Sequence, residues 1–114
     1  MTREIRDYLQ DIVDAIAKCM NFVEGMSFEE FAKDDKTIFA VLRALEVVGE
    51  AVKNIPEDFR KKYPDIPWKD FAGMRDKLIH GYFGVDLRRV WKTVKDEIPA
   101  IKPTFEQAAR ETNG

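Results

Sequence analysis

The chain has 114 residues, 45% hydrophobic and 35% charged, which is enough for one domain with a single core and excludes a disordered segment. One cysteine, Cys19, and one histidine, His80, exclude a disulfide framework and a zinc site built from thiolates and imidazoles. No apolar run approaches the roughly 20 residues that cross a bilayer, and the charged N-terminus shows no signal peptide. We therefore predict a single cytoplasmic domain over residues 1–114.

Helical periodicity begins at once. Apolar side chains recur every three or four residues over 5–23, which predicts a helix with one buried face. Thr2 is its expected N-cap, and Gly25 supplies a left-handed stop. Ser27 and Glu30 form a capping box that opens a short second helix through about Lys33.

The middle of the chain predicts two more long helices. The first runs over about 35–55 and stops at Pro56; one or two further turns follow within 57–63. Pro67 and Trp68 open the next helix, which runs into His80 and breaks near the glycines at 81 and 84.

Asp86 is the expected N-cap of the last major helix. The tail over 96–110 also has a helical pattern, although Pro99 and Pro103 are expected to shorten or bend it. No segment alternates like a β-strand. The predicted fold is therefore all-α, a bundle of four to five helices.

Charge is unevenly distributed. Residues 1–57 carry 7 Lys and Arg against 12 Asp and Glu, whereas residues 58–114 carry 12 against 9. Within 60–95 the imbalance is 10 basic residues against 4 acidic ones, which would attract a polyanion. Solvated helix faces explain the same pattern, and the acidic half would equally suit a basic partner.

The chemically informative segment runs from Arg75 to Phe83. It contains a permanently charged guanidinium at Arg75, the only side chain that titrates near neutral pH at His80, and the phenol of Tyr82. Asp76 lies four residues before His80, so on a helix its carboxylate would orient the imidazole and raise its pKa. Taken alone, such residues near a helix end are also typical of surface or capping positions.

Helical geometry limits how this segment can work. Five residues separate Arg75 from His80, which places them about 140° apart around a straight helix. One helix therefore presents both side chains to one phosphate only if it ends at His80. The alternative, which we prefer, is a homodimer in which a two-fold axis brings two copies of the segment together.

Residues 73–86, Gly-Met-Arg-Asp-Lys-Leu-Ile-His-Gly-Tyr-Phe-Gly-Val-Asp, resemble the signature of HepT-like toxins, a family of the HEPN superfamily. The phrases Ser-Phe-Glu-Glu-Phe at 27–31, Leu-Glu-Val-Val-Gly-Glu-Ala at 45–51 and Tyr-Pro-Asp-Ile-Pro-Trp at 63–68 extend the resemblance, as does Val-Trp at 90–91. It covers nearly the whole chain to about Pro99. An Arg-x4-His pattern alone is weak, but in this context it is specific.

The resemblance implies a HEPN-like helical bundle that dimerises around a shared cleft and cleaves RNA without a metal ion or other cofactor. Arg75 and His80 would be the catalytic pair, with Asp76 in support. It also implies a nucleotidyltransferase antitoxin that can transfer AMP to Tyr82. Lys77, Arg88 and Arg89 are then the candidates for RNA contact.

A second class of function remains open. The bundle could be a non-catalytic module that binds a nucleotide or the nucleotidyltransferase, with Arg75 gripping a phosphate. The presence of both Arg75 and His80 favours an enzyme, because phosphate binding alone needs no imidazole. Glu46 and Glu50, one turn apart, lack the further ligands of a metal site, and we expect them to be solvated or paired with Arg43, Lys53 or Arg75.

Overall fold

The computed structural model describes residues 3–80 and 84–113, with only the backbone described for His80 and Asn113. The described α-helices are α1 (Ile5–Phe22), α2 (Phe28–Lys33), α3 (Asp35–Lys53), α4 (Glu57–Arg60), α5 (Trp68–His80), α6 (Leu87–Lys92) and α7 (Ile98–Asn113). A π-helical turn, Thr93–Glu97, joins α6 to α7. The described ranges contain no strand, so the all-α prediction is confirmed.

The core lies around α3. This helix packs between α1 and α5, and α1 also packs on α7. Helices α1 and α3 run antiparallel, because Cys19 near the end of α1 contacts the carbonyl oxygen of Val41 near the start of α3. The side chains that are fully buried at the centre of the bundle include Ile12, Ile16, Val41, Val48 and Phe105.

Most predicted helix ends are confirmed. Gly25 has a φ of 76°, the left-handed conformation expected of a helix stop. The Ser27 hydroxyl accepts a hydrogen bond from the Glu30 N–H, as a capping box requires. The Asp86 carboxylate accepts from two backbone N–H groups at the start of α6. Thr2 lies outside the described residues, and the N-cap of α1 is Glu4.

Helix α3 ends at Lys53, two residues before the predicted end. The carbonyl oxygen of Val52, in its last turn, and that of Ile55, beyond it, both accept hydrogen bonds from one side chain. The Arg60 guanidinium donates from Nη2 to the Val52 oxygen at 2.7 Å and from Nε to the Ile55 oxygen at 2.9 Å. A C-terminal cap from a distant cation is favourable because helix ends expose unpaired carbonyl groups.

Pro99 and Pro103 do not shorten the tail, because α7 contains both and continues to Asn113, while the alternative that they bend it stays a prediction. A change of hydrogen-bond register precedes the first proline. In the π-helical turn the Ile98 N–H donates to the Thr93 oxygen, five residues earlier. This wider turn comes directly before Pro99, which has no N–H to donate, and the helix resumes beyond it.

Candidate active site

Helix α5 carries the predicted catalytic segment. Its first residue, Trp68, is buried and donates its indole N–H to the Tyr63 oxygen at 3.1 Å. Phe71 and Leu78 are buried on the same helix. Arg75 lies one turn beyond Phe71 and points its stem towards α3, and α5 is described as far as His80.

Gly49 allows α5 to approach α3 closely at Arg75. A Cβ atom added at Gly49 would lie 2.2 Å from the Cβ of Arg75 and 2.8 Å from the Phe71 oxygen. Neither distance is sterically tolerable, so a side chain at position 49 would force the two helices apart. The absence of a side chain therefore determines where the stem of Arg75 lies.

Four side chains of α3 and α5 form a charge cluster, which we define as Glu50, Lys53, Arg75 and Asp76. Arg75 Nη2 lies 2.7 Å from Glu50 Oε2, and Arg75 Nη1 lies 3.2 Å from Asp76 Oδ1. Lys53 Nζ lies 2.8 Å from the same Asp76 oxygen. The Arg75 side chain is only 25% exposed, whereas that of Glu50 is 58% exposed. Glu50 therefore pairs with Arg75, one of the several outcomes that the sequence left open for it.

The Asp76 carboxylate is held in its charged form. The hydrogen bond from Lys53, followed by that from Arg75, lowers the pKa of Asp76 below its ordinary value. Both bonds go to Oδ1. Contact between Asp76 and His80 stays a prediction, because the imidazole lies outside the described atoms. The i, i+4 spacing would allow Asp76 Oδ2 to accept a hydrogen bond from it.

The guanidinium of Arg75 retains hydrogen-bonding capacity. It has five N–H donors. Nη1 donates to Asp76 Oδ1, Nη2 forms an ion pair with Glu50 Oε2, and Nε is buried without a hydrogen-bond partner. Each terminal nitrogen carries two N–H groups and makes one carboxylate contact, so each has a second N–H group for another acceptor.

A groove of about 800 Å³ adjoins the charge cluster, between α5 and the start of α6. Its apolar wall comprises Met74, Leu78, Val85 and Val90. Asp76, Lys77 and Arg89 also line it. Asp86 lines the groove as well, so two carboxylates and two cations border its apolar wall and their formal charges cancel.

The structure brings together two of the three RNA-contact candidates. Lys77 and Arg89 share the groove, although Arg89 also pairs with Glu97 at 2.9 Å. Arg88 is directed elsewhere, with its guanidinium 4.2 Å from the centre of the Phe28 ring. A cation held over an aromatic ring is less available to a phosphate.

Tyr82, the predicted modification site, lies outside the described residues. Among the residues that are described, no group of three or more His, Cys, Asp and Glu side chains is arranged to hold a metal ion. Within the same part of the chain, no helix is both long enough and apolar enough to cross a membrane.

Sequence reasoning missed Gly49 and left the partner of Glu50 open. A signal for Gly49 was present, because an isolated glycine inside a helical pattern indicates close packing. The partner of Glu50 had no such signal, since Arg43, Lys53 and Arg75 all suited its charge.

A family model described as "Ribonuclease HepT-like" matches residues 12–108. The chain belongs to this family. Membership indicates ribonuclease activity and confirms the resemblance drawn from residues 73–86. The family relationship covers α5, the charge cluster and the groove.

Curated relatives agree with this assignment. A probable ribonuclease HepT from Thermococcus cleftensis is 56% identical over 107 residues, which cover 94% of this chain and 97% of the relative. A putative RNase from Methanocaldococcus jannaschii is 52% identical over 112 residues, covering 98% and 93%. Another from Caldanaerobacter subterraneus is 50% identical over 102 residues, covering 90% and 91%. No solved structure matches the chain significantly.

Proposed function

We propose that this HepT-like protein is the toxin of a toxin–antitoxin pair, an endoribonuclease that cleaves RNA through attack of a 2′-hydroxyl and needs no metal ion. The observation that carries the proposal is the state of Arg75. Its guanidinium contacts two carboxylates and has one further N–H group on each terminal nitrogen, on a helix that is described as far as His80.

The chemistry divides between these two residues. His80 removes the proton from the 2′-hydroxyl, whose oxygen then attacks the adjacent phosphorus. The bond from phosphorus to the 5′-oxygen breaks, and that oxygen takes up a proton. The products are a 2′,3′-cyclic phosphate and a 5′-hydroxyl end. Arg75 stabilises the additional negative charge on the phosphorane oxygens, for which a fixed pair of donors is well suited.

A homodimer would complete the site. Because Arg75 and His80 are about 140° apart on a regular helix, a second subunit supplies the missing partner for each. With two copies of His80, one imidazole would remove the proton from the 2′-hydroxyl and the other would protonate the leaving 5′-oxygen. Lys77 and Arg89 in the groove would contact the phosphates of the RNA strand. Arg88 would do the same once its guanidinium moved away from the Phe28 ring. Sedimentation of the purified chain at several concentrations measures the association directly.

The antitoxin partner would be a nucleotidyltransferase that transfers AMP to Tyr82, both proteins acting in the cytoplasm. The phenol oxygen attacks the α-phosphorus of ATP and pyrophosphate leaves, so the tyrosine gains a phosphodiester-linked nucleotide. The modification adds one negative charge and a nucleotide's bulk to the segment that begins at Arg75. It would occupy the guanidinium and exclude RNA.

Cleavage of RNA by the purified chain in EDTA tests the nuclease directly. We expect the wild type to cut RNA, to leave a DNA oligonucleotide of the same sequence intact, and to produce a 2′,3′-cyclic phosphate. Loss of one charge-stabilising donor group reduces rates by about 10²–10³, and loss of a general base by about 10²–10⁴, so Arg75→Ala and His80→Ala should each be severely impaired.

Arg43→Ala is the matched control, because Arg43 is exposed and pairs with Glu46 on α3. It should cleave as the wild type does. Equal cleavage by an Arg75→Ala, His80→Ala double variant would refute the catalytic assignment. Binding of RNA or nucleotide without any cleavage would instead favour the non-catalytic module.

A further inference from the structure

Glu50 reaches from α3 to the predicted catalytic arginine on the neighbouring helix. Its Oε2 lies 2.7 Å from Arg75 Nη2, the shorter of the two carboxylate contacts that Arg75 makes in the charge cluster. The pair is asymmetric, because the arginine side chain is mostly buried and the glutamate side chain mostly exposed. Burial limits the positions that Arg75 can adopt, and Glu50 selects among them.

The stem of Arg75 has little freedom. Its Cβ and Cγ lie against α3 in the space left by the missing side chain of Gly49. Its Nε is enclosed and has no hydrogen-bond partner. The remaining variable is the orientation of the terminal nitrogens, which Glu50 holds on one side and Asp76 on the other.

The charges of the cluster cancel. Glu50 and Asp76 contribute two negative charges, and Lys53 and Arg75 two positive ones. Glu50 therefore weakens the attraction of this region for RNA. If the protein needed Arg75 only to bind a polyanion, a carboxylate at Glu50 would be unfavourable, whereas a fixed orientation of the guanidinium requires such a group.

We propose that Glu50 is a positioning residue of the nuclease site. Its carboxylate orients the Arg75 guanidinium so that the two remaining N–H donors face the phosphate under attack. The orientation benefits the transition state, while the negative charge weakens the binding of RNA before reaction. This inference rests on the proposed ribonuclease function and assigns to it a residue outside the Arg-x4-His segment.

The test is the separation of kcat from KM in a Glu50→Gln variant, assayed on a labelled single-stranded RNA oligonucleotide of mixed sequence. Glutamine keeps the size of the side chain and removes its charge. We expect kcat to fall roughly ten- to a hundredfold, because a misoriented group lowers the rate of the chemical step. We expect KM to fall or to stay at the wild-type value, since one negative charge is removed.

Glu46→Gln is the matched control. Glu46 lies one turn earlier on α3 and also pairs with an arginine, Arg43, at 3.3 Å, but this pair lies within one helix and its arginine is exposed. This variant should retain the wild-type kcat and KM. Thermal unfolding of both variants should stay close to that of the wild type, because each ion pair has one largely exposed member and such pairs contribute little to stability.

Three results would overturn the inference. An unchanged kcat in Glu50→Gln would show that the contact has no catalytic consequence. A higher kcat would show that Glu50 slows the reaction instead of assisting it. A raised KM together with a lowered melting temperature would make its role structural. Absence of cleavage by the wild type would refute the ribonuclease function itself, and the inference with it.

Discussion

Cys19 lies on the buried face of α1, with its Sγ 3.9 Å from the Val41 oxygen. Burial raises the pKa of this thiol to about 12 from an ordinary value of 9.0. The native state thus keeps the thiol protonated at neutral pH, so Cys19 acts as a small apolar side chain and not as a nucleophile.

We predict that Cys19 resists alkylation in the native protein at pH 8 and reacts fully in denaturant. Because the native pKa is raised, the stability that this thiol contributes is present below about pH 9 and is lost as pH rises through the native pKa. A time course of iodoacetamide labelling, read by mass spectrometry, makes the measurement. In a Cys19→Ala background, Ala17→Cys places a thiol at an exposed position on the same helix and should react at once. Rapid labelling of native Cys19 would contradict its burial.

Unlike Cys19, Arg75 is a charged residue whose end reaches the surface. Its stem is buried, but its terminal nitrogens meet Glu50 and Asp76 at the surface of the bundle. The sequence singled out Arg75 because its Arg-x4-His pattern is followed at once by Gly-Tyr and stands in a wider HepT-like context. The carboxylates around Arg75 were only partly predictable: Asp76 is its neighbour in the chain, whereas Glu50 belongs to another helix.

At the scale of elements, the approach of α5 to α3 depends on Gly49. We predict that Gly49→Ala destabilises the protein by about 1–3 kcal/mol, since an overpacked contact forces backbone shifts of this magnitude. The displacement would also move Arg75 relative to Glu50, and RNA cleavage should decline with it. Thermal unfolding and the RNA assay measure the two effects.

Gly73→Ala provides the matched control on the facing helix. A Cβ at Gly73 would meet no atom within 4 Å, and alanine is favoured over glycine in a helix by about 0.5–1 kcal/mol. This variant should melt at a higher temperature than the wild type. Equal melting temperatures for Gly49→Ala and the wild type would mean that α3 and α5 can move apart without a loss of stability.

The helices themselves were mostly predictable, because periodicity and caps are local. Ser27 and Asp86 cap the helices that they were expected to cap. The tail was not predictable in the same way. Pro99 and Pro103 were expected to shorten or bend it, and it is not shortened. The π-helical turn before Pro99 shifts the hydrogen-bond register, and no local propensity encodes such a shift.

At the scale of the whole molecule, the proposed toxin must be silenced by its partner. We predict that Tyr82→Phe remains toxic when the nucleotidyltransferase is co-expressed, because phenylalanine has no hydroxyl to accept AMP. Growth after induction is the measurement, with the mass of the purified protein as a direct check for the added nucleotide. Complete neutralisation of Tyr82→Phe would indicate inhibition by complex formation alone.

Tyr8→Phe is the corresponding control. Tyr8 lies on α1, with the Arg3 guanidinium 4.7 Å from the centre of its ring, and this contact does not need the hydroxyl. The variant should be neutralised by the nucleotidyltransferase as the wild type is. Escape of both variants would point to a general loss of recognition instead of a modified tyrosine.

The amino-acid sequence by itself determined the all-α class, most helix ends and the segment from Arg75 to His80, because each depends on residues that are close together in the chain. Only the tertiary structure decided what Arg75 contacts. Lys53 and Asp76 are 23 positions apart, and Glu50 meets Arg75 only because Gly49 lets α3 and α5 pack closely. Such pairings depend on how helices pack, and several partners of equal charge satisfied the local pattern equally well.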